Sequence, residues 1–222
     1  MLLDRADQIL RGYAGAADGR ASKNQLAGIL IVLFIFGCLY GAVMGLYSLI
    51  YGHRFLQLVY SATKVPLLLL ASFGLSLPFF FVLNSLLGLR DDFFHSLRAL
   101  LATQAGLTII LSSLSPLTLL WYISFDNYNS AILFNAVIFG CSSVLAQTIL
   151  MNLLGPLIQK NQRHRITLLA WLIIYAFVGI QMSWILRPFI GDPKSPTHFF
   201  RQDAWGNAYI KLIQIITGLF SA

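Results

Sequence analysis

Glutamate is absent from this chain; all eight acidic residues are aspartates. Charge of either sign is scarce, at 10% of residues against about 25% in soluble domains. Cysteine is nearly missing too. Cys38 and Cys141 each sit inside a long apolar run, so they read as small buried hydrophobes, not a disulfide, metal or redox pair. No Ser-His-Asp order, phosphate loop or cysteine cluster appears. His53, His95, His164 and His198 all fall near the ends of apolar runs. Enzymatic function is therefore the class with least support, and no cofactor or metal is expected.

What is present is hydrophobic. Apolar residues make up 58% of the 222, and the mean hydropathy is +0.75. Those values exclude a water-soluble fold and a disordered chain. They specify an all-α, integral membrane helical bundle. The formal charge of +7 then reads as basic loops facing anionic lipid, with no nucleic-acid partner.

Five stretches free of Asp, Lys and Arg are long enough for a core about 30 Å thick, which needs about 20 residues. They run over 26–51, 65–89, 99–121, 131–158 and 166–186. A mixed polar segment over 1–25 precedes the first, which is too long for the apolar part of a signal peptide and reads as an uncleaved span. Pro66 stands at the start of the second span, where a missing N–H is harmless. Pro78 and Pro116 lie inside spans and should kink them or mark freed carbonyls, and Pro156 lies near the end of the fourth.

Three further segments have helical amphipathic spacing: 1–13, 53–64 and 207–222. Each is expected to lie in the interface plane. In 53–64 the polar stripe is Arg54, Gln57, Ser61 and Lys64, opposite Phe55, Leu56, Leu58 and Val59. Residues 204–222 nearly suffice for a sixth span, but Lys211 would cost about 2.5–3.5 kcal/mol at mid-bilayer. The domains are then a cytoplasmic amphipathic segment (1–25), a five-span unit (26–186) and a proline-braced tail (187–222). With the N-terminus inside, nine Lys and Arg face the cytoplasm and six face out. Trp121, Tyr122, Trp184, Trp205 and Tyr209 would mark the outer aromatic belt.

Gly37, Gly41 and Gly45 form a small-residue stripe in the first span. Ala136/Gly140 and Ser142/Ala146 in the fourth span and Gly179/Ser183 in the fifth offer shorter ones. Small residues four apart let a second helix approach closely. Its owner is another subunit, a second copy, or this chain's own bundle. Arg90-Asp91-Asp92-Phe-Phe-His95 is the densest charged cluster. Asp91, Asp92 and His95 have helical spacing for a shared metal or lipid phosphate-transfer site. The simpler reading is two aspartates capping the third span. Arg90, Asp91, Asp92, Arg187, Arg201 and Trp205 are candidate headgroup or partner contacts. Intramembrane polarity is confined to the amides Asn84, Gln104, Asn135, Gln147, Asn152 and Gln181. Uncharged spans argue against an ion-coupled pump and leave a passive pore open.

The stretch Val65-Pro66 through Leu87-Gly88-Leu89-Arg90-Asp91-Asp92-Phe93, with Gln181-Met-Ser-Trp184-Ile-Leu-Arg187-Pro188-Phe189-Ile-Gly191, resembles a family of bacterial membrane proteins of uncharacterised function. The plan of a cytoplasmic N-tail and five spans is also loosely similar to Yip1-type membrane proteins, which would imply a role in membrane organisation. Neither resemblance supplies a catalytic residue, substrate or cofactor. The expected function is a non-enzymatic scaffold or accessory subunit in the bacterial cytoplasmic membrane. Its expected partners are the lipid bilayer and other membrane subunits or copies of itself. The alternatives are a passive channel or carrier lined by the amides, and a lipid-modifying enzyme built on Asp91, Asp92 and His95.

Overall fold

The computed structural model describes residues 2–12, 23–192 and 197–200. It is all-helical among those residues. A short α1 (Leu2–Leu10) precedes α2 (Lys23–Gly52), α3 (Phe55–Leu86), α4 (Phe93–Ser113), α5 (Ser115–Ser124), α6 (Tyr128–Lys160) and α7 (Arg163–Ile185). Five spans are long and apolar enough to cross a membrane: α2 from Gln25, α3, α4 with α5, α6 and α7. This is a multi-pass membrane protein. The tail segment 207–222, with the question of a sixth span, lies outside the described residues.

Local chemistry explains the breaks. Pro116 has no N–H for the carbonyl of Ser112, and α4 gives way to α5 there. The Ser115 hydroxyl donates to that carbonyl at 2.6 Å, replacing the lost backbone donor. After α3, Gly88 adopts φ +72°. Leu89 N–H reaches Asn84 O at 2.8 Å and Gly88 N–H reaches Ser85 O at 3.2 Å, the paired closure that a left-handed residue permits. Asn127 caps α6 by accepting from the N–H groups of Asn129 and Ser130.

Pro66 is not at the start of its helix. Residues 55–64 do not form a separate interfacial helix but continue into the second span. Their polar stripe is inside out. Gln57, Ser61 and Lys64 are buried, while Phe55 and Leu56 face outward at 66% and 50% exposure. The apolar face of α1 rests on α2 and α4, with Ala6 and Ile9 buried. Gly106 of α4 instead makes room for α6: a Cβ there would strike Ile149 Cδ1 at 2.5 Å, while Ile9 Cγ2 lies at an ordinary 3.8 Å.

The packing centres on α2, which contacts α3 along its length and α4 on another side. The glycine stripe makes the first contact possible. A Cβ on Gly37 would meet the Pro66 ring at 3.3 Å, one on Gly41 would meet Ala62 Cα at 2.9 Å, and one on Gly45 would meet Leu58 Cα at 2.6 Å. Both later obstacles are backbone. The stripe's partner is this chain's own α3, so these glycines are not available to a second subunit. Beyond this pair, α7 lies on α3 and α6 lies on α4, while α6 and α7 scarcely touch each other. On α4, every residue from 98 to 109 is buried.

Gly41→Ala should therefore act on folding and not on assembly. Overpacking a closed backbone contact costs about 1–3 kcal/mol. The expected result is a lower melting temperature in detergent with an unchanged particle mass by light scattering. A changed mass at unchanged stability would refute the intrachain assignment.

Candidate functional site

The gap between α6 and α7 is a cleft of about 1230 Å³, above the roughly 300–1,000 Å³ usual for small-molecule sites. Its back wall comes from α2, α3 and α4, with Met44, Leu68, Leu69 and Leu107 among the apolar lining. Ala136, Phe139, Gly140 and Val144 line it from α6, and Leu172, Ala176, Gly179 and Ser183 from α7. Val144 is also 70% exposed, so the cleft opens sideways, where lipid would lie. At depth the lining stops near Ser72, Thr103, Gln147 and Leu172. Immediately beyond, the Trp171 ring meets Phe73 at 5.4 Å and Phe80 at 5.1 Å, both edge to face. This aromatic cluster blocks the path toward the other end of the bundle.

The chain after α7 closes the opposite end. After Arg187, whose N–H still reaches Trp184 O at 3.4 Å, residues 188–192 cross the mouth as a strap outside any helix. Its carbonyls need donors in a place where water is scarce. The inward stripe of α3 supplies them. Lys64 Nζ donates to Pro188 O at 2.7 Å, the Ser61 hydroxyl donates to Phe189 O, and Gln57 Nε2 reaches both carbonyls at 3.4 and 3.5 Å. Gly191 sits at φ +77° against the Gln57 side chain, which a Cβ would strike at 2.5 Å. Lys64 also lies 5.0 Å from the centre of the Phe199 ring. Its burial, at 0% exposure, is thus balanced by a carbonyl and a ring face.

Some polar groups in the cleft are committed to the protein, while Ser48 Oγ, Ser72 Oγ and Gln147 Oε1 of the lining have no partner among the described residues. Asn135 accepts from Tyr40 at 3.1 Å and donates to Tyr122 and to the Ala131 carbonyl at 2.8 Å each. Tyr175 donates to Gln104 at 2.7 Å. Gln147 Nε2 reaches Ser143 O at 3.3 Å. Among the described residues, charge in the lining is confined to the mouth, where Arg54, Arg187, Asp192 and His198 line the cleft. The Arg187 guanidinium stacks 3.4 Å over the Trp184 ring, and Arg54 Nη1 reaches Asp192 O at 3.4 Å.

The sequence candidates separate accordingly. Ala136, Gly140, Gly179 and Ser183 do not pack helix on helix. They face one another across the cleft: nothing lies within 4 Å of a Cβ placed on Gly140, and one on Gly179 would meet only Ser72 Oγ at 3.9 Å. Of the amides, Gln104, Asn135 and Gln147 line the cleft, whereas Asn84 turns to the Phe80 carbonyl. Tyr122 is no belt residue; it is fully buried and donates to Met44 O. The Arg90–His95 cluster is split. Arg90, Asp91 and His95 are exposed, and Asp92 pairs across to His164 Nε2 at 3.2 Å. Asp92 stands at the N-cap of α4, but its side chain makes no capping bond. Among the described residues no group of three metal-ligating side chains gathers. Arg201 and Trp205 lie outside the described residues. Arg54 was missed as a site residue, because a polar stripe read as water-facing hides a role inside the fold.

No family model matches the chain, and no curated protein or solved structure is similar to it. The site therefore stands on its own geometry.

Lys64→Met should loosen the strap. Losing a charge-assisted bond worth about 1.5–3 kcal/mol predicts amide exchange at 189–192 faster by about ten- to a hundredfold. Unchanged exchange would show that the strap is held by other contacts.

Proposed function

We propose that this protein binds a lipid-like amphiphile in the cleft between α6 and α7, as a non-enzymatic membrane-embedded carrier or holder. The observation that carries the reading is the cleft itself. Among the described residues it is large and mostly apolar, opens sideways between two helices, ends at an aromatic block and has charge only at its mouth. A sideways opening suits a ligand that arrives from the bilayer. The blocked end argues against a continuous pore. The lining offers amides, hydroxyls and arginines, with the Asp91, Asp92 and His95 cluster well away from it, which favours binding over lipid chemistry.

The placement we favour is the bacterial cytoplasmic membrane with the N-terminus inside. The excess of Lys and Arg on that side supports it. The strap and the cleft mouth then face outward.

A second reading keeps the accessory-subunit expectation in a new place. Ala136, Gly140, Gly179 and Ser183 offer small surfaces on both walls, which also suit a helix of another membrane subunit.

Gly140→Trp discriminates, because the space beside Gly140 is empty and the indole would fill the cleft without a backbone clash. With a photo-activatable fatty acid in native membranes, we expect the wild type to be labelled on α6 and α7. The Trp variant should lose most of that labelling and keep its melting temperature. Labelling that is absent, or equal in both proteins, would sink the amphiphile reading. Loss of a stoichiometric co-purifying protein in the variant would instead favour the subunit reading.

A further inference from the structure

The end of the bundle opposite the strap carries bases on an apolar rim. α7 starts there, and it is the least enclosed of the five spans, with 17% of its most apolar stretch buried against 39% or more in the others. Ile166, Leu169 and Ile173 form an exposed ridge near its start, at the spacing of three and four that keeps side chains on one face. At about 100° per residue, Arg163 and Arg165 fall on either side of that ridge, one turn or less before Ile166. Both are exposed.

The neighbouring turn adds to this corner. Arg163 Nη1 reaches Leu87 O at 3.3 Å, which sets the start of α7 against the turn between α3 and α4. Arg90 stands three residues after Leu87, and Lys160 three before Arg163; both are exposed. Three residues span at most about 11 Å, so each base lies within about a Debye length of the next, about 10 Å at 0.1 M salt. Their fields therefore add without the side chains meeting at one atom. The acids of the corner are Asp91, which is exposed, and Asp92, which is engaged by His164 at 3.2 Å. Four bases against two acids leave an excess of two positive charges with the histidines neutral. Leu86 and Phe94, on either side of Arg90 in the chain, are 78% and 72% exposed, so the bases stand at the border of an apolar surface.

We infer that this corner binds an anionic phospholipid of the bilayer, its phosphate drawn to Arg90, Lys160, Arg163 and Arg165 and one acyl chain lying along Ile166, Leu169 and Ile173. Basic clusters at the ends of membrane spans attract anionic headgroups in this way. From Ile166 to Ile173 the ridge runs about 10 Å at 1.5 Å per residue, which fits within one leaflet of a core about 30 Å thick. The bound lipid also covers the span that the chain itself encloses least. None of these side chains lines the cleft, so the inference does not depend on the cleft reading.

The test compares two lipids that share both chains. Dioleoyl phosphatidylglycerol and dioleoyl phosphatidylcholine are titrated against the full-length protein in a neutral detergent, with binding read by native mass spectrometry. Each base near an anionic headgroup contributes about a fivefold preference, so phosphatidylglycerol should bind about tenfold or more tighter. That advantage should shrink with added salt and fall to about threefold or less in an Arg163→Gln, Arg165→Gln double variant. Phosphatidylglycerol with a diazirine in one acyl chain should label α7 within 163–173.

Equal binding of the two lipids to the wild type would overturn the inference. That comparison needs no variant, so loss of the Arg163 contact to Leu87 does not blunt it. A preference unchanged in the double variant, or labelling confined to the cleft walls, would overturn it as well, by assigning the lipid to another surface. Gly140→Trp separates the two proposals. It fills the cleft and should keep the phosphatidylglycerol preference in full; loss of the preference there would assign it to the cleft and overturn the inference.

Discussion

The close contact between α2 and α3 sets the geometry of the bundle. Gly37, Gly41 and Gly45 remove three side chains from one face of α2, and the α3 backbone at Leu58 and Ala62 comes in against them. Because α4 packs on a different side of α2, α3 and α4 are held apart at the front and barely meet. The outer helices inherit that spacing. α7 follows α3, α6 follows α4, and the space between them becomes the cleft. A side chain on Gly41 would tilt α3 away from α2 and carry α7 and the strap with it. The contact that holds the fold together is thus also the one that keeps the cleft open.

Much of this was legible in the sequence, and what was not shares a physical cause. Apolar run length located all five spans, because a backbone in lipid must bond within its own helix and needs enough residues to cross. Pro116 announced the break between α4 and α5. The stripe of Gln57, Ser61 and Lys64 was visible as a stripe, but periodicity gives a face and not what the face meets. In water a polar face turns out; in a bilayer it turns in whenever the interior holds backbone in need of donors. The small residues of α6 and α7 illustrate the same ambiguity. Ala136, Gly140, Gly179 and Ser183 leave space beside their helices, and a sequence does not say whether a helix or an open cleft occupies that space. Tyr122 looked like an interfacial aromatic by its position beside Trp121, yet its partners Asn135 and Met44 lie on other helices.

The inverted stripe also explains how an irregular segment can cross the mouth of a membrane cleft. Loops without internal hydrogen bonds do not survive facing lipid. The strap carbonyls of Pro188 and Phe189 are met by an ammonium, a hydroxyl and an amide on consecutive turns of α3. Burying the Lys64 charge is costly by itself. The carbonyl of Pro188 and the ring of Phe199 offset part of that cost, and the result ties the chain after α7 to the start of α3. Residues far apart in sequence thereby build one mouth, with Arg54 from one side and Arg187 from the other.

The state of Asn135 and Gln104 favours an amphiphile over a small polar solute. A solute crossing at mid-bilayer depth needs donors and acceptors that are free to replace its water. Asn135 already uses its oxygen and its amide nitrogen on Tyr40, Tyr122 and the Ala131 carbonyl, and the Gln104 oxygen is taken by Tyr175. Each such bond is worth only about 0.6 kcal/mol on average between membrane helices. Breaking one, however, leaves a tyrosine hydroxyl or an amide without a partner, at about 1–3 kcal/mol. A polar guest that drew on these two amides would have to meet that cost, with Ser48 Oγ, Ser72 Oγ and Gln147 Oε1 the unpaired atoms left to it. An acyl chain meets none of it, because it asks the walls only for apolar surface and leaves the paired amides as they are.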